Sequence, residues 1–314
     1  MNLRELCQST IAISVILVAY LFPYKVQGQD SYRLAVYALP LTYHNSAVKD
    51  NGFATGIGGY YSPNPRNWLE GQADYTLLNF ENSDELKQGD FTVAYTTYPG
   101  SKVYLRFGGH LTTSDYAVLD TITTQMGMGN RVISRVIKNH SYSNSYSLFT
   151  GFHFYKLYKW TLGVDAYWSR YPDLAPALSV YQLTPKLTVT FGDYNTYGSF
   201  YLVSRLYTQF LDQSFGYDRK EYYSLEQTLQ YYKNRWMLQG FFWTGEQYFA
   251  VRNDGFTVFN LAELHKRGVG LELQYLFSPN VGFQAGWYQE WFQELNENQD
   301  AYSTGLLFTL FIKK

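Results

Sequence analysis

The stretch from Lys159 to Arg170, KWTLGVDAYWSR, alternates between apolar residues and residues that are mostly polar or glycine. Its apolar positions are Trp160, Leu162, Val164, Ala166 and Trp168. Because successive side chains of a β-strand point to opposite faces, this period of two predicts a strand with one apolar face. On a strand tilted by ~40°, Trp160 and Trp168 would lie ~20 Å apart along the axis of a barrel. That spacing is close to the ~25 Å apolar band, edged by aromatic girdles, of a membrane-spanning barrel.

The same alternation recurs at 102–112, 223–231, 268–290 and 302–312. In a water-soluble β-sandwich, the main alternative, strands also alternate, but their edges usually carry Lys and Glu to block pairing with other chains. Here the polar faces are rich in Gly, Gln, Thr and Tyr, which favours lipid as the surroundings of the apolar face. The aromatic girdle candidates are Trp160, Trp168, Trp287 and Tyr275.

Short and long connections alternate along the chain, as they do in barrels with short periplasmic turns and longer extracellular loops. The short ones lie near 63–66, 99–101, 127–130, 157–158, 195–198, 233–235 and 278–280. The long polar ones are 45–52, 81–89, 113–118, 140–144, 171–177, 211–221, 249–267 and 293–299. We therefore predict an all-β fold, a closed up-and-down antiparallel transmembrane β-barrel of 16 strands. A count of 14 is also acceptable, because 113–144 and 178–193, with Pro185, divide less clearly.

Composition excludes several other classes of protein. Aromatic residues make up 19% of the 314 residues and charged residues 16%, with a net charge of −1. Disordered chains are poor in aromatic residues, and the 25 basic residues against 26 acidic ones leave no positive excess to hold nucleic acid. No apolar run of about 18 residues follows the N-terminal segment, which excludes a bundle of membrane-spanning helices.

The N-terminal segment has the features of a secretory signal. Arg4 precedes an apolar stretch at 10–22, Pro23 ends that stretch, and Gly28 offers a small residue for cleavage. We predict a cleaved signal peptide at 1–28, a barrel domain at 29–314, and export to the cell outer membrane. The single cysteine, Cys7, would leave with the signal, so no disulfide is expected in the mature protein.

The C-terminal run Ser303-Thr-Gly-Leu-Leu-Phe-Thr-Leu310 resembles the last-strand signal of Gram-negative outer-membrane β-barrel proteins. The resemblance implies that outer-membrane lipid and the barrel-assembly machinery are partners, with Gly305, Phe308 and Leu310 as the assembly signal. One departure is that the chain ends in Ile312-Lys313-Lys314, whereas the family usually ends on an aromatic residue. The Tyr-rich strands and the Asn67-Trp68 strand start also resemble YaiO-type outer-membrane barrels.

Charged residues on the predicted inner faces are the candidates for lining a pore. They are Glu70, Asp74, Lys102, Arg106, His110, Asp165, Arg205, Glu226, Glu272 and Glu290. Because their signs nearly balance, we expect only a weak ion preference. The five histidines do not stand at metal-ligand spacing, and no nucleotide or hydrolase motif occurs, so we expect no metal, no cofactor and no enzyme activity.

These features favour a passive channel or a conduit for a small solute or a polysaccharide. The main alternative is a structural barrel whose lumen is plugged by 249–267, a segment that carries Phe256, Val258, Phe259, Leu261 and Leu264. A lipid-modifying barrel enzyme using His110 or His153 is less favoured, because a lone histidine on a polar strand face is more often hydrogen-bonded or solvated. A secreted, soluble sugar-binding β-protein is a fourth hypothesis. The sequence specifies neither a substrate nor an oligomeric state.

Overall fold

The structure is a computed structural model that describes residues 31–80, 85–126, 131–157, 159–295 and 300–314, with backbone only for 117–126 and 131–140. The signal peptide predicted at 1–28 lies outside these residues. Within them, strands β1 to β16 are, in chain order, Tyr32–His44, Lys49–Asn64, Asn67–Phe80, Glu85–Thr97, Val103–Met126, Arg131–Lys156, Trp160–Tyr171, Leu178–Asp193, Gly198–Leu211, Glu221–Lys233, Trp236–Gln247, Val251–Arg252, Thr257–Val258, Glu263–Leu276, Val281–Glu294 and Asp300–Lys313.

Fourteen of these described strands form one closed barrel, while β12 and β13 form a separate two-stranded sheet. Every neighbouring pair is antiparallel, and β1 pairs with β16 from Arg33 opposite Lys313 to His44 opposite Tyr302, which closes the sheet. The predicted closed up-and-down barrel is therefore confirmed, with the lower of the two acceptable strand counts.

The predicted connections at 113–118 and 140–144 are wrong, and they account for the difference in strand count. β5 and β6 run through both segments in unbroken register, from Val103 opposite Phe154 to Met126 opposite Arg131. β4 pairs with β5 only as far as Tyr116, and β7 pairs with β6 only as far as Tyr146. The distal part of this hairpin therefore stands beyond its neighbours. The residues there lack the alternation of apolar and polar side chains that marks the other strands.

The two ends of the barrel carry connections of different lengths. At one end, the turn end, the connections are short: 65–66, 98–102, 157–159, 194–197, 234–235 and 277–280. The other end, the loop end, includes 172–177, 212–220 and 248–262. Both chain ends of the barrel, at Tyr32 and Lys313, lie at the turn end.

The outer surface of the barrel is apolar and its interior is polar. Side chains more than half exposed occur on the outer face around the barrel, among them Phe91, Leu148, Leu162, Phe242, Leu271 and Leu310. Inward-facing Thr92, Thr184, Gln209 and Glu226 are at most 4% exposed. This distribution is the reverse of a soluble sandwich, and it is stable only where lipid covers the outer face. No described helix has the length and apolarity needed to cross a bilayer.

The aromatic girdle candidates lie at different depths. Trp160 is the first residue of β7, and Trp168 lies towards the loop end of that strand. Tyr275 lies next to a turn and packs against Trp236, with ring centroids 4.4 Å apart and planes at 43°. Trp287, in contrast, lies at the middle of β15, opposite Leu271 on one neighbour and Leu306 on the other. Its assignment to a girdle is wrong, because the alternation of β15 indicates which face Trp287 occupies but not its depth.

The residues that resemble an assembly signal lie on both faces of β16, the strand that closes the barrel. Phe308 and Leu310 point outward and are 46% and 51% exposed. Gly305 points inward, where a Cβ would lie 3.0 Å from the side chains of both Leu39 and Leu41. The role of these residues in assembly stays a prediction.

Candidate functional site

The connection between β11 and β14 folds back into the barrel. We call its residues, 248–262, the plug. Tyr248, Phe249, Ala250 and Val251 at its start are at most 1% exposed. The prediction that this part of the chain turns inward therefore agrees with the structure, although β14 already begins at Glu263 and 263–267 belong to the wall.

Two wall glutamines bind the backbone of the plug. Gln182 Nε2 donates to the Val251 carbonyl at 2.6 Å, and the Val251 amide donates back to Gln182 Oε1 at 3.0 Å. Gln209 binds Tyr248 in the same way, at 3.1 and 3.2 Å. Both side-chain amides thus act as a strand partner would, which satisfies backbone groups that would otherwise be buried without hydrogen bonds.

Ion pairs hold the tip of the plug on several sides. Arg252 pairs with Glu226 at 2.8 Å and with Glu290 at 2.6 Å. Asp254 pairs with Lys186 at 2.9 Å and with Arg205 at 3.4 Å, while Arg106 donates a hydrogen bond to the Asp254 carbonyl oxygen. The tip is therefore attached to strands β5, β8, β9, β10 and β15.

These partners determine the protonation state of the tip. Burial alone would raise the pKa of Asp254, but the nearby charges of Lys186, Arg205 and Arg106 outweigh burial and hold the pKa of this carboxyl well below its usual range. Burial opposes the charge of Arg252, yet Glu226 and Glu290 raise the pKa of its guanidinium above its usual value. Both groups are therefore charged at neutral pH.

Backbone geometry at the tip requires glycine. Asn253, Asp254 and Gly255 have positive φ, and Gly255 has φ of 100°. A Cβ on Gly255 would also lie 2.5 Å from the ring of Phe149, on the inner wall. The Asn-Asp-Gly sequence therefore allows both the tight turn and the close approach to the wall.

An apolar cluster closes one side of the loop end above the plug. It joins Tyr248 and Phe249 of the plug to wall residues, and Leu174, Phe215 and Tyr217 of the neighbouring loops pack against it. The wall residues are Tyr171, Leu178, Val180, Leu211, Tyr222 and Leu264. This cluster buries apolar surface within a largely polar lumen, which stabilises the inward position of the plug.

Three cavities adjoin the plug in the part of the chain that the structure describes. The one that we call the central cavity has a volume of about 550 Å³ and lies between plug residues 252–259 and the wall formed by β1, β3, β9–β11 and β14–β16. A cavity of about 180 Å³ towards the loop end shares Leu41, Phe259, Glu290 and Ser303 with it. A third, of about 210 Å³, lies on the far side of Asp254. The plug thus divides the lumen, and Phe259 separates the central cavity from the cavity nearer the loop end.

The structure places most of the predicted lumen residues on the inner wall. Arg106 pairs with Glu70 at 3.3 Å, Arg205 with Glu226 at 2.8 Å, and His153 with Asp165 at 2.9 Å. The other inward-facing candidates are Asp74, His110, Glu272 and Glu290. Their role in conduction stays a prediction.

Lys102 is the exception among these candidates. It is exposed in the turn 98–102, one residue before β5 begins, so its prediction as a lumen residue is wrong. The alternation of 102–112 indicates the face correctly, but the strand end that carries Lys102 extends past the wall.

Several residues of the site were not predicted from sequence. Arg252, Asp254 and Lys186 form the ion pairs of the tip, and the buried pair Lys49–Glu263 lies near the loop end. A signal for the tip was available, because the charged turn Arg-Asn-Asp-Gly interrupts an otherwise apolar segment at 252–255. No local signal marks Lys186 or Lys49, since their partners are distant in sequence.

The histidines considered for catalysis face the interior. His110 is 4% exposed and contacts Thr92 at 2.7 Å and Asp90 at 3.0 Å, while His153 is 1% exposed. Neither lies on the lipid-facing surface, where a lipid-modifying enzyme would need its catalytic group. Among the described residues, no group of three or more His, Asp or Glu side chains is arranged to hold a metal ion.

Comparisons with known proteins agree with this architecture. No protein-family model matches the sequence, and no curated protein matches it. A FadL homologue of Pseudomonas aeruginosa has a similar structure, with a TM-score of 0.56 and 11% identity, and the match covers 91% of this chain and 90% of that chain. The toluene transporter TbuX of Ralstonia pickettii gives 0.58 at 8% identity, with coverage of 91% and 90%. TodX, the toluene transporter of Pseudomonas putida, gives 0.52 at 9% identity, with coverage of 92% and 90%. At these identities the similarity establishes a shared barrel fold.

Proposed function

We propose that this barrel is a channel of the cell outer membrane that passes small solutes and is restricted by its plug. The observation that carries the proposal is the central cavity of about 550 Å³, which lies inside a polar wall and is bounded by a folded-in loop. A cavity of this size with a few polar groups is typical of sites that small molecules enter, and membrane barrels with polar interiors commonly form channels. The loop end would face outward and the turn end the periplasm.

Small solutes fit the interior better than polymers do. The cavities measure about 180 to 550 Å³, the size range of sites for small molecules, and the plug interrupts the path of an extended chain. The similar structures include two toluene transporters and a monoaromatic hydrocarbon channel, which supports a solute of comparable size. The transport we propose involves no covalent chemistry.

The finer features predicted from sequence belong to the same proposal. The segment 1–28 would direct export and then be cleaved, and the assembly machinery would read Gly305, Phe308 and Leu310 on the closing strand. Kinship with YaiO-type barrels is a further part of the proposal and rests on sequence resemblance alone.

Removal of the plug tests the proposal. The variant replaces 250–260 with a short Gly/Ser linker, and both proteins are reconstituted in planar bilayers after heat-modifiable migration on a gel confirms that they are folded. We expect small or infrequent conductance steps from the intact protein and large, steady steps from the variant. Absence of conductance from a folded variant without its plug would overturn the channel.

A plugged structural barrel is the second candidate. The many contacts of the plug favour it, since Arg252 and Asp254 each form two ion pairs with the wall. Vesicle swelling in small sugars, which do not cross a lipid bilayer unaided, separates the two candidates. A channel accelerates entry of at least one solute over protein-free vesicles, whereas a structural barrel with a fixed plug accelerates none.

A further inference from the structure

The charged groups that line the central cavity differ in whether they form ion pairs. Four carboxylates and two guanidiniums line it. Arg205 binds Glu226 and Asp254, and Arg252 binds Glu226 and Glu290, so both guanidiniums are engaged by carboxylates. Glu272, the remaining carboxylate of the lining, instead accepts hydrogen bonds from uncharged groups: Tyr288 Oη and Gln284 Nε2, each at 2.6 Å, and the side-chain amide of Gln239 on the neighbouring strand.

Glu272 retains capacity for a further donor. Three uncharged groups donate to it, and an ionised carboxylate offers about four acceptor sites, so one site is left for a further donor. Arg33, a basic residue on the neighbouring part of the wall, donates to Gln274 and lies over the ring of Phe311, with its guanidinium carbon 4.1 Å from the ring centroid. Its charge also acts on Glu272, but Arg33 is not among the residues that line the cavity, and the two guanidiniums that do line it are paired with other carboxylates.

Two aromatic rings stand beside this carboxylate. Phe241 and Tyr288 both line the cavity, with ring centroids 5.8 Å apart and planes at 32°. They meet over Gly270, where a Cβ would lie 2.4 Å from Phe241 and 2.8 Å from Tyr288. Since Gly270 and Glu272 are alternate residues on the inner face of β14, the rings and the carboxylate form one surface.

A second glycine keeps this surface open. A Cβ at Gly286, which is paired with Glu272 across β14 and β15, would lie 2.9 Å from Tyr288 Oη and 3.2 Å from Glu272 Cγ. The side chains of Glu272 and Tyr288 occupy the space that any larger residue at 286 would fill. Glycine at positions 270 and 286 therefore allows the carboxylate and the two rings to lie side by side.

We propose that Glu272, Tyr288 and Phe241 form a binding site for a small organic cation, an amine or quaternary ammonium with an apolar body. The carboxylate binds the cationic head, and the faces of the rings attract it through their quadrupoles. The apolar side chains of the same cavity, Leu39, Leu41, Val203, Phe259 and Leu307, hold the body of the molecule. With this site, the barrel would prefer cations, in place of the weak ion preference expected from sequence. The role of the site in uptake rests on the proposed channel.

Three probes of similar size that share a phenyl ring test the charge preference on the full-length wild-type protein. They are phenethylammonium, 2-phenylethanol and phenylacetate, and isothermal titration calorimetry in detergent micelles measures their binding. We expect phenethylammonium to bind at least tenfold more tightly than 2-phenylethanol, and phenylacetate to bind most weakly. Equal affinities, or tightest binding of phenylacetate, would overturn the site without recourse to any variant.

Substitutions locate the site within the protein. Glu272→Gln keeps the shape of the side chain, and we expect it to weaken phenethylammonium binding about tenfold while leaving 2-phenylethanol unchanged. The matched control is Glu221→Gln, an exposed carboxylate at the loop end of β10 that is outside the cavity. If Glu272→Gln fails to fold, Tyr288→Leu serves instead, because it removes the ring but keeps the carboxylate. Unchanged phenethylammonium binding in a folded variant contradicts the assignment.

Failure of the channel and failure of the site are distinguishable. If the wild type binds phenethylammonium selectively but vesicles containing it take up no solute, the site stands and the channel falls. If vesicles that contain the protein take up small sugars faster than protein-free vesicles and calorimetry shows no preference among the three probes, the channel stands and the site falls.

Discussion

At the scale of single residues, Asp254 shows how a partly exposed charge can hold a loop inside a barrel. Its side chain is 33% exposed, but it faces Lys186 and Arg205 on two adjacent strands, and Arg106 binds its backbone. A carboxylate with several basic partners is stabilised more than one in an isolated surface pair. Removing it leaves two cations on the wall facing each other without their shared anion.

Asp254→Asn should therefore loosen the plug. We expect the attachment of the tip to weaken by about 1–2 kcal/mol, a value discounted for partial exposure, and conductance steps to become roughly five- to thirtyfold more frequent. Single-channel recording measures this frequency. Asp218→Asn, an exposed carboxylate in the loop 212–220, is the control and should leave the frequency unchanged. A frequency equal to that of the wild type would mean that these ion pairs do not hold the plug.

The same residue determines a dependence on pH. Because the pKa of Asp254 is depressed when the plug is in place, its ionised form stabilises the closed state. That contribution is complete above the ordinary carboxyl pKa of about 4 and is lost as the pH falls through the depressed value. We expect closure to be constant from about pH 5 to 8 and opening only in stronger acid. In recordings across this range, opening at about pH 6 would contradict the assignment.

At the scale of elements, the sequence predicts a strand where the two faces of that strand meet different surroundings. β7 and β14 have lipid on one side and polar lumen on the other, so a period of two is visible. The distal part of the β5–β6 hairpin has no such period, and the Ser, Thr and Asn residues of this region resemble a loop. The plug is the opposite case, because apolar residues at 256–261 make a long connection too apolar to remain in water.

The distal hairpin should be dispensable for the barrel. β4 and β7 pair with it only up to Tyr116 and Tyr146, so the residues beyond bind only each other among the described strands. We expect a variant in which 119–138 are replaced by a two-residue Asn-Gly turn to fold, since this turn suits a short hairpin. Heat-modifiable migration and circular dichroism in detergent measure folding. Loss of the folded band would show that the hairpin carries contacts required for closure.

At the scale of the whole molecule, the closed barrel follows from sequence but the site inside it does not. Alternation indicates that Glu226, Arg205 and Glu290 face inward, and the structure agrees. The pairing of Arg252 with Glu226 and Glu290 depends on how a loop enters a closed cylinder, and no local pattern specifies that geometry. The same holds for Glu272, whose neighbours Tyr288 and Phe241 come from different strands.

The assignment of lipid to the outer face has its own test, which uses depth as the variable. Leu271 is 55% exposed and lies opposite Trp287 in the middle of the band, while Tyr275 on the same face of β14 lies next to a turn. Arginine on the lipid face costs about 2–4 kcal/mol at the bilayer midplane and about 0–1 near the interface. In denaturant unfolding of the protein in lipid vesicles, we expect Leu271→Arg to lower the free energy of unfolding by the larger amount and Tyr275→Arg by the smaller one. Because both side chains point out of the barrel, water around that face would make the two substitutions nearly equal, and a dry protein partner would penalise both. Only a bilayer gives a penalty that falls towards the turn end, so equal values would refute the membrane-spanning assignment.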